Sequence, residues 1–167
     1  GLKQTSSTVA IGFSVDEALP NTFTEASIDL NLSPLDNEVF VVQAVNMEGE
    51  MPDAVPSTDT KVTASLTSTT QTNVVGLSNS NCIATKANYI QAAGFVDSGV
   101  GFQTGEAETT PANLEYLAII ATNDFFIQVK GTGNTLPKGL SGKLYGYRAR
   151  ADASIYSALV QSEVLSA

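Results

Sequence analysis

Residues 24–47 read TEASIDLNLSPLDNEVFVVQAVNM. The first nine alternate, with Ala26, Ile28, Leu30 and Leu32 on one side and Glu25, Ser27, Asp29 and Asn31 on the other. This is the two-residue period of a strand with one buried and one wet face. Ser33 to Asn37, with Pro34 among them, mark a turn. Glu38 to Met47 follow as the strongest apolar run in the chain, and their Val-Phe-Val-Val centre is too β-branched for a comfortable helix. They read as a central strand. Two strands so close together, with a turn between them, set the expectation for the rest of the chain.

Outward from this stretch the pattern continues. Upstream, TVAIGFS (residues 8–14) alternates Val9, Ile11 and Phe13 with smaller or polar neighbours, and Pro20-Asn21 mark a turn. Downstream, EGEMPDAVPSTD (residues 48–59) carries two prolines and four carboxylates and reads as a loop. TKVTASLTSTTQ (residues 60–71) is a strand whose polar side is almost all hydroxyl. Residues 72–112 mix apolar stretches with Asn, Ser and Gly, and read as short strands, a helical turn and loops. The runs 114–121 and 125–130, joined by Thr122-Asn123-Asp124, read as a hairpin.

After a loop at 131–139, SGKLYGYRARA (residues 141–151) sets Leu144, Gly146 and Arg148 against Lys143, Tyr145 and Tyr147. The last segment changes period: Ile155, Leu159 and Ser162 lie near one line and Tyr156, Val160 and Val164 near another. This predicts a helix over 153–165 capped by Asp152. About eight strands with regular turns and one terminal helix give an all-β fold, a single jelly roll or β-sandwich over residues 1–167 as one domain.

Composition removes whole classes of chemistry. The chain has no histidine, so it has no imidazole base and no imidazole metal ligand, and Cys82 is its one cysteine. Only 15% of residues are charged, while 18 Thr and 16 Ser supply a polar surface without charge. The formal charge of −9 argues against direct nucleic-acid binding, and no run approaches the length of a membrane span. Neither nucleic acid nor membrane insertion is expected.

The charge is unevenly placed. Residues 1–60 hold ten carboxylates and one base, whereas residues 61–167 are neutral overall and concentrate Lys130, Lys138, Lys143, Arg148 and Arg150 in one stretch. Two readings stand: opposite solvated faces of one monomer, or complementary patches between copies. On the second, the subunit-interface candidates are Lys143, Tyr145, Tyr147, Arg148 and Arg150, facing Glu48, Glu50 and Asp53.

Individual motifs are weak. Asp97-Ser98-Gly99 resembles the turn of an aspartic protease, which would require a symmetric dimer to supply the second carboxylate; an ordinary turn is the simpler reading. Gly99, Gly101 and Gly105 lack the spacing of a nucleotide loop. Asn46, Glu48, Glu50, Asp53 and Asp59 are oxygen donors suited to Ca²⁺, but without EF-hand spacing. No cofactor is expected, with Ca²⁺ as the alternative. The absence of Trp weakens a sugar-binding cleft. No enzymatic site is expected.

EVFVVQAV, LAIIATNDFFIQVKGTGNT and above all SGKLYGYRARADASIYSALVQSEVLS resemble the single jelly-roll major capsid proteins of tailless, membrane-containing icosahedral viruses of archaea and bacteria and their marine relatives. The resemblance covers roughly residues 36–47 and 112–166. It implies a structural coat protein of the virion that forms capsomers with copies of itself, with or without a second coat protein. Two other classes remain open at this stage: a cell-surface or virion-associated β-sandwich adhesin or pilus-like subunit, and a dimeric aspartic protease using Asp97.

Overall fold

The structure, a computed structural model, describes residues 1–93, 102–106 and 115–166. Its described strands are β1 (Leu2–Gln4), β2 (Val9–Asp16), β3 (Thr24–Asp29), β4 (Glu38–Gly49), β5 (Thr60–Thr67), β6 (Cys82–Gln91), β7 (Phe102–Glu106), β8 (Ala118–Ile120), β9 (Asp124–Thr132) and β10 (Gly139–Ala151). Helix α1 (Ala153–Leu165) closes the chain. All pairings among them are antiparallel.

The pairing is nested. β5 pairs with β6, β4 with β8, β3 with β9 and β2 with β10, so the first half of the chain lies against the second in reverse order. Rolled up, this long double ribbon gives one sheet ordered β2-β10-β4-β8 and a second ordered β3-β9-β5-β6. That is a jelly roll. Two strands are added to the expected eight: β1 continues the first sheet along the same edge of β10 as β2, and β7 extends the second beyond β6.

The alternation read from sequence decides what fills the sandwich. Phe13 and Val15 of β2, Phe40 and Val42 of β4, Leu140 and Leu144 of β10 pack against Val62, Ala64 and Leu66 of β5 and Phe125, Ile127 and Val129 of β9. Each of these side chains other than Ala64 contributes about 1.5–3 kcal/mol when fully buried. Phe13 and Phe125 meet edge to face across the core, 6.0 Å between centroids at 80°. Gly146 makes room for Phe40: a Cβ there would collide with the Val41 carbonyl and lie 2.6 Å from the Phe40 ring.

A bulge on β4 at Gln43, where Tyr145 pairs with Ala44 but Gly146 with Val42, reverses the alternation along that strand. Val39 and Val41 therefore point outward, as do Ala44, Asn46 and Glu48 beyond the bulge. Outside the first sheet, Val39, Val41, Ala149 and Ala151 form a second apolar cluster with Ile155, Tyr156, Leu159 and Val160 of α1. The helix has the predicted limits, and the Asp152 side chain accepts from the Ile155 N–H as its cap. Its last turn differs from the expected lines: Glu163 is buried, while Ser162 is exposed and Val164 is 60% exposed.

Two other expectations are corrected. Within 72–112 the described residues form one ten-residue strand, β6, and the five-residue β7, in place of several short strands and a helical turn. The runs on either side of Thr122-Asn123-Asp124 are not a hairpin. β8 pairs with β4 in the first sheet and β9 with β3 and β5 in the second, so residues 121–123 cross from one sheet to the other. Glu163 enforces the crossing: its carboxylate accepts from Ala121 N (2.6 Å), Thr122 N (3.2 Å) and the Thr122 hydroxyl (2.6 Å). Asp97-Ser98-Gly99 lies outside the described residues.

Candidate functional site

The polar side chains most suggestive of chemistry are held by structural hydrogen bonds. At one end of the sandwich, the buried Glu17 carboxylate accepts from Thr22 N, Gly131 N and Lys138 N at 2.8–3.0 Å. Asn134 is buried beside it, bonded to Asn21, to Lys61 O and to Asp53 N. Asp53 itself binds Lys138 Nζ at 2.7 Å through one oxygen and Thr135 N, Thr135 Oγ1 and Leu136 N through the other. The Lys138 ammonium holds the Asp53 carboxyl down at about 2. This overcomes the upward push of burial, with help from the donors of Leu136 and Thr135. Together these contacts tie the loops following β2, β4 and β9.

On the outside of the second sheet, Gln128 and Ser65 are fully buried although both are polar. The segment after β5 covers them. Ser65 donates to Gln128 Oε1 (2.6 Å), Gln128 Nε2 donates to Glu25 and Thr67, and Glu25 in turn accepts from Thr70 and Gln71. Every carboxylate oxygen in this network is occupied. No described buried side-chain polar atom lacks a partner.

The five oxygen donors considered for Ca²⁺ do not converge. Asn46 and Glu48 stand on the outer face of β4, Asp53 is locked to Lys138, and Asp59 accepts from Ala92 N and Ala93 N at 2.9 Å each. Among the described residues no three His, Cys, Asp or Glu side chains come together as a metal site. No described helix is long and apolar enough to cross a membrane.

The charge halves meet within the chain. Lys138 pairs with Asp53, Arg148 with Glu38 (3.2 Å) and Arg150 with Asp36 (3.6 Å), each a late base with an early acid. Arg148 also donates to the Leu30 and Asn31 carbonyls, which anchors the turn after β3. Tyr147 packs on α1 in the second apolar cluster. Of the interface candidates, Arg148, Arg150, Asp53 and Tyr147 therefore have intrachain roles, and Glu50 stands exposed at the start of the loop after β4.

Lys143, Tyr145 and Glu48 are brought together on one surface. They stand on the outer face of the first sheet, on the half that α1 leaves uncovered. The register places Gly12 and Asn46 on either side of Lys143, Ala10 and Ala44 beside Tyr145, and Ser14 and Glu48 beside Ser141. All but Tyr145 and Ser141 are exposed, and all but Ala10 and Ala44 line a groove of about 730 Å³ together with Phe13, Ile28 and Gly142. Neither Lys143 nor Glu48 has an ion-pair partner among the described residues.

Sequence reading missed Glu17, Glu25, Gln128, Asn134 and Glu163. Only their spacing close to turn residues, as in DEALPN (16–21) and KGTGNT (130–135), gave any sign of loop bracing. No protein-family model, curated protein or solved structure matches the chain.

Proposed function

We propose that this chain is a structural, self-assembling coat protein that forms capsomers of an icosahedral virion shell. The observation that carries the reading is the nested jelly-roll pairing of β2 to β5 with β6, β8, β9 and β10. Jelly rolls serve mainly as capsid subunits, lectins and cupins. Fold alone does not choose among them, and composition supports the first. A metal site built on imidazole has no ligand here, since the chain has no histidine, and a sugar cleft usually offers aromatic faces, of which tryptophan is absent. A shell subunit needs a rigid sandwich with braced loops and an exposed face of low charge.

The resemblance of residues 36–47 and 112–166 to single jelly-roll capsid proteins supports the same reading. The partners are then copies of the chain itself, and the site of action is the particle surface. Negative-stain microscopy of the purified protein, over a range of salt and concentration, tests it. Rings, lattices or shells are expected; single unassociated particles under every condition contradict it.

A further inference from the structure

We propose that the turn between β3 and β4, together with the groove beside α1, is a self-association surface, in which Leu35 of one copy enters the groove of a second across a twofold axis. This rests on the self-assembly reading above and names the surface it uses.

A leucine that the fold holds out in water is the starting point. Leu35 is 95% exposed, more than any other large apolar side chain among the described residues. It does not stand on a slack loop. Pro34 fixes its own φ, Glu38 N donates to Ser33 O (3.0 Å), and the Glu38 carboxylate accepts from Ser33 N (3.2 Å). Asn37, left-handed at φ 52°, closes the 3₁₀ turn Pro34–Asp36. The leucine is therefore displayed in a fixed position at the apex of a braced turn.

Beside this knob lies a hole. Leu32 and Pro34 of the same turn, residues 121–123 of the crossing, and Tyr156 and Val160 of α1 line a groove of about 440 Å³, which has room for a leucine side chain and part of the turn that bears it. Val164 continues the line of Tyr156 and Val160 one helical turn further and is 60% exposed. Among the described residues no charged side chain lines the groove. The charges near it are engaged within the chain: Asp36 with Arg150, Glu38 with Arg148, Asp152 with the helix cap, and Asp29 with Asn31 N and the Asn123 amide.

Leu35 follows Pro34 directly, so knob and hole adjoin on one surface. That adjacency makes a second copy the occupant: each copy offers an apolar knob and an apolar groove with nothing of its own chain inside it. A twofold axis passing between the two seats both leucines in one contact. The patch falls well short of the roughly 20–30 residues a side of a stable interface, so the contact is weak alone and gains from being repeated in a larger assembly.

The test uses sedimentation velocity at high protein concentration. Leu35→Asp places a charge in the apolar groove twice per contact and is expected to weaken association by at least about tenfold. The chain has no tryptophan, so Leu35→Trp supplies a single emitting ring, whose emission is expected to move to shorter wavelength as rising concentration carries it into the partner's groove. If the wild type associates but Leu35→Asp associates equally well, or the tryptophan of an associated chain keeps its solvent-exposed emission, this surface is wrong while the coat-protein reading stands. If the wild type stays monomeric at every concentration, that reading fails and takes this surface with it.

Discussion

Glu163→Ala is expected to cost about 3–4 kcal/mol of folding stability. The carboxylate is 7% exposed and accepts two backbone N–H groups and one hydroxyl where the chain crosses between sheets. Truncation leaves Ala121 N, itself buried, and Thr122 N without an acceptor. Each unsatisfied buried donor costs about 1–3 kcal/mol, and hydrogen bonds to a charged group are worth about 1.5–3 kcal/mol each. These contributions overlap, so the middle of the combined range is the expectation. Glu163→Gln keeps one carbonyl acceptor but turns an NH₂ toward a donor, and is expected to cost about 1.5–3 kcal/mol.

Urea unfolding followed by far-ultraviolet circular dichroism gives both values. Hydrogen exchange in residues 153–165 distinguishes global loss from undocking of the helix, which would expose Val39, Val41 and Ala149. A Glu163→Ala loss below about 0.5 kcal/mol, the size of an ordinary surface change, would refute the assignment of this carboxylate as the brace of the crossing.

Three further outcomes are expected. Because Lys138 holds the folded-state pKa of Asp53 at about 2, below its ordinary 3.8, its stabilising contribution is complete above pH 3.8 and disappears as the pH falls toward 2. Asp53→Asn flattens that part of a stability-against-pH curve, and an unchanged acid limb contradicts the pairing. Gly146→Ala drives a methyl into the Val41 carbonyl and the Phe40 ring, both buried, and is expected to cost about 3 kcal/mol or more in thermal or urea unfolding. A neutral result would mean β10 sits farther from β4. Charge reversal at Lys143 or Glu48 is expected to leave the unfolding midpoint almost unchanged, since neither forms an ion pair within the described chain.

Elements with a regular apolar period or a long β-branched run were legible in the sequence. β2, β3, β5 and β10 follow their alternation, β4 its β-branched run, and α1 its change of period and its Asp152 cap. β6 was not, because three of the four positions on its core face, Ala84, Lys86 and Asn88, are small or polar: Ala84 is buried, and so is Asn88, whose amide reaches the Gly49 and Glu50 carbonyls. The hairpin misreading has a similar cause. Thr122-Asn123-Asp124 makes the same local turn whether its flanking strands pair or part, and the group that decides, Glu163, lies about forty residues away in sequence.

The interface candidates were partly legible. Charge counting located the bases, but their distribution does not reveal which find acids inside the same chain. Arg148 and Lys138 do, through loops that only the roll-up brings together. Lys143 and Glu48 are left unpaired by the same register that pairs their strands.

The measurement that bears most directly on the central claim is the mass of the purified chain in solution, by multi-angle light scattering across a wide concentration range at low and moderate salt. The account predicts defined multiples of the 17.4 kDa protomer that grow with concentration toward capsomer or shell size. A mass that stays at one protomer throughout would contradict it.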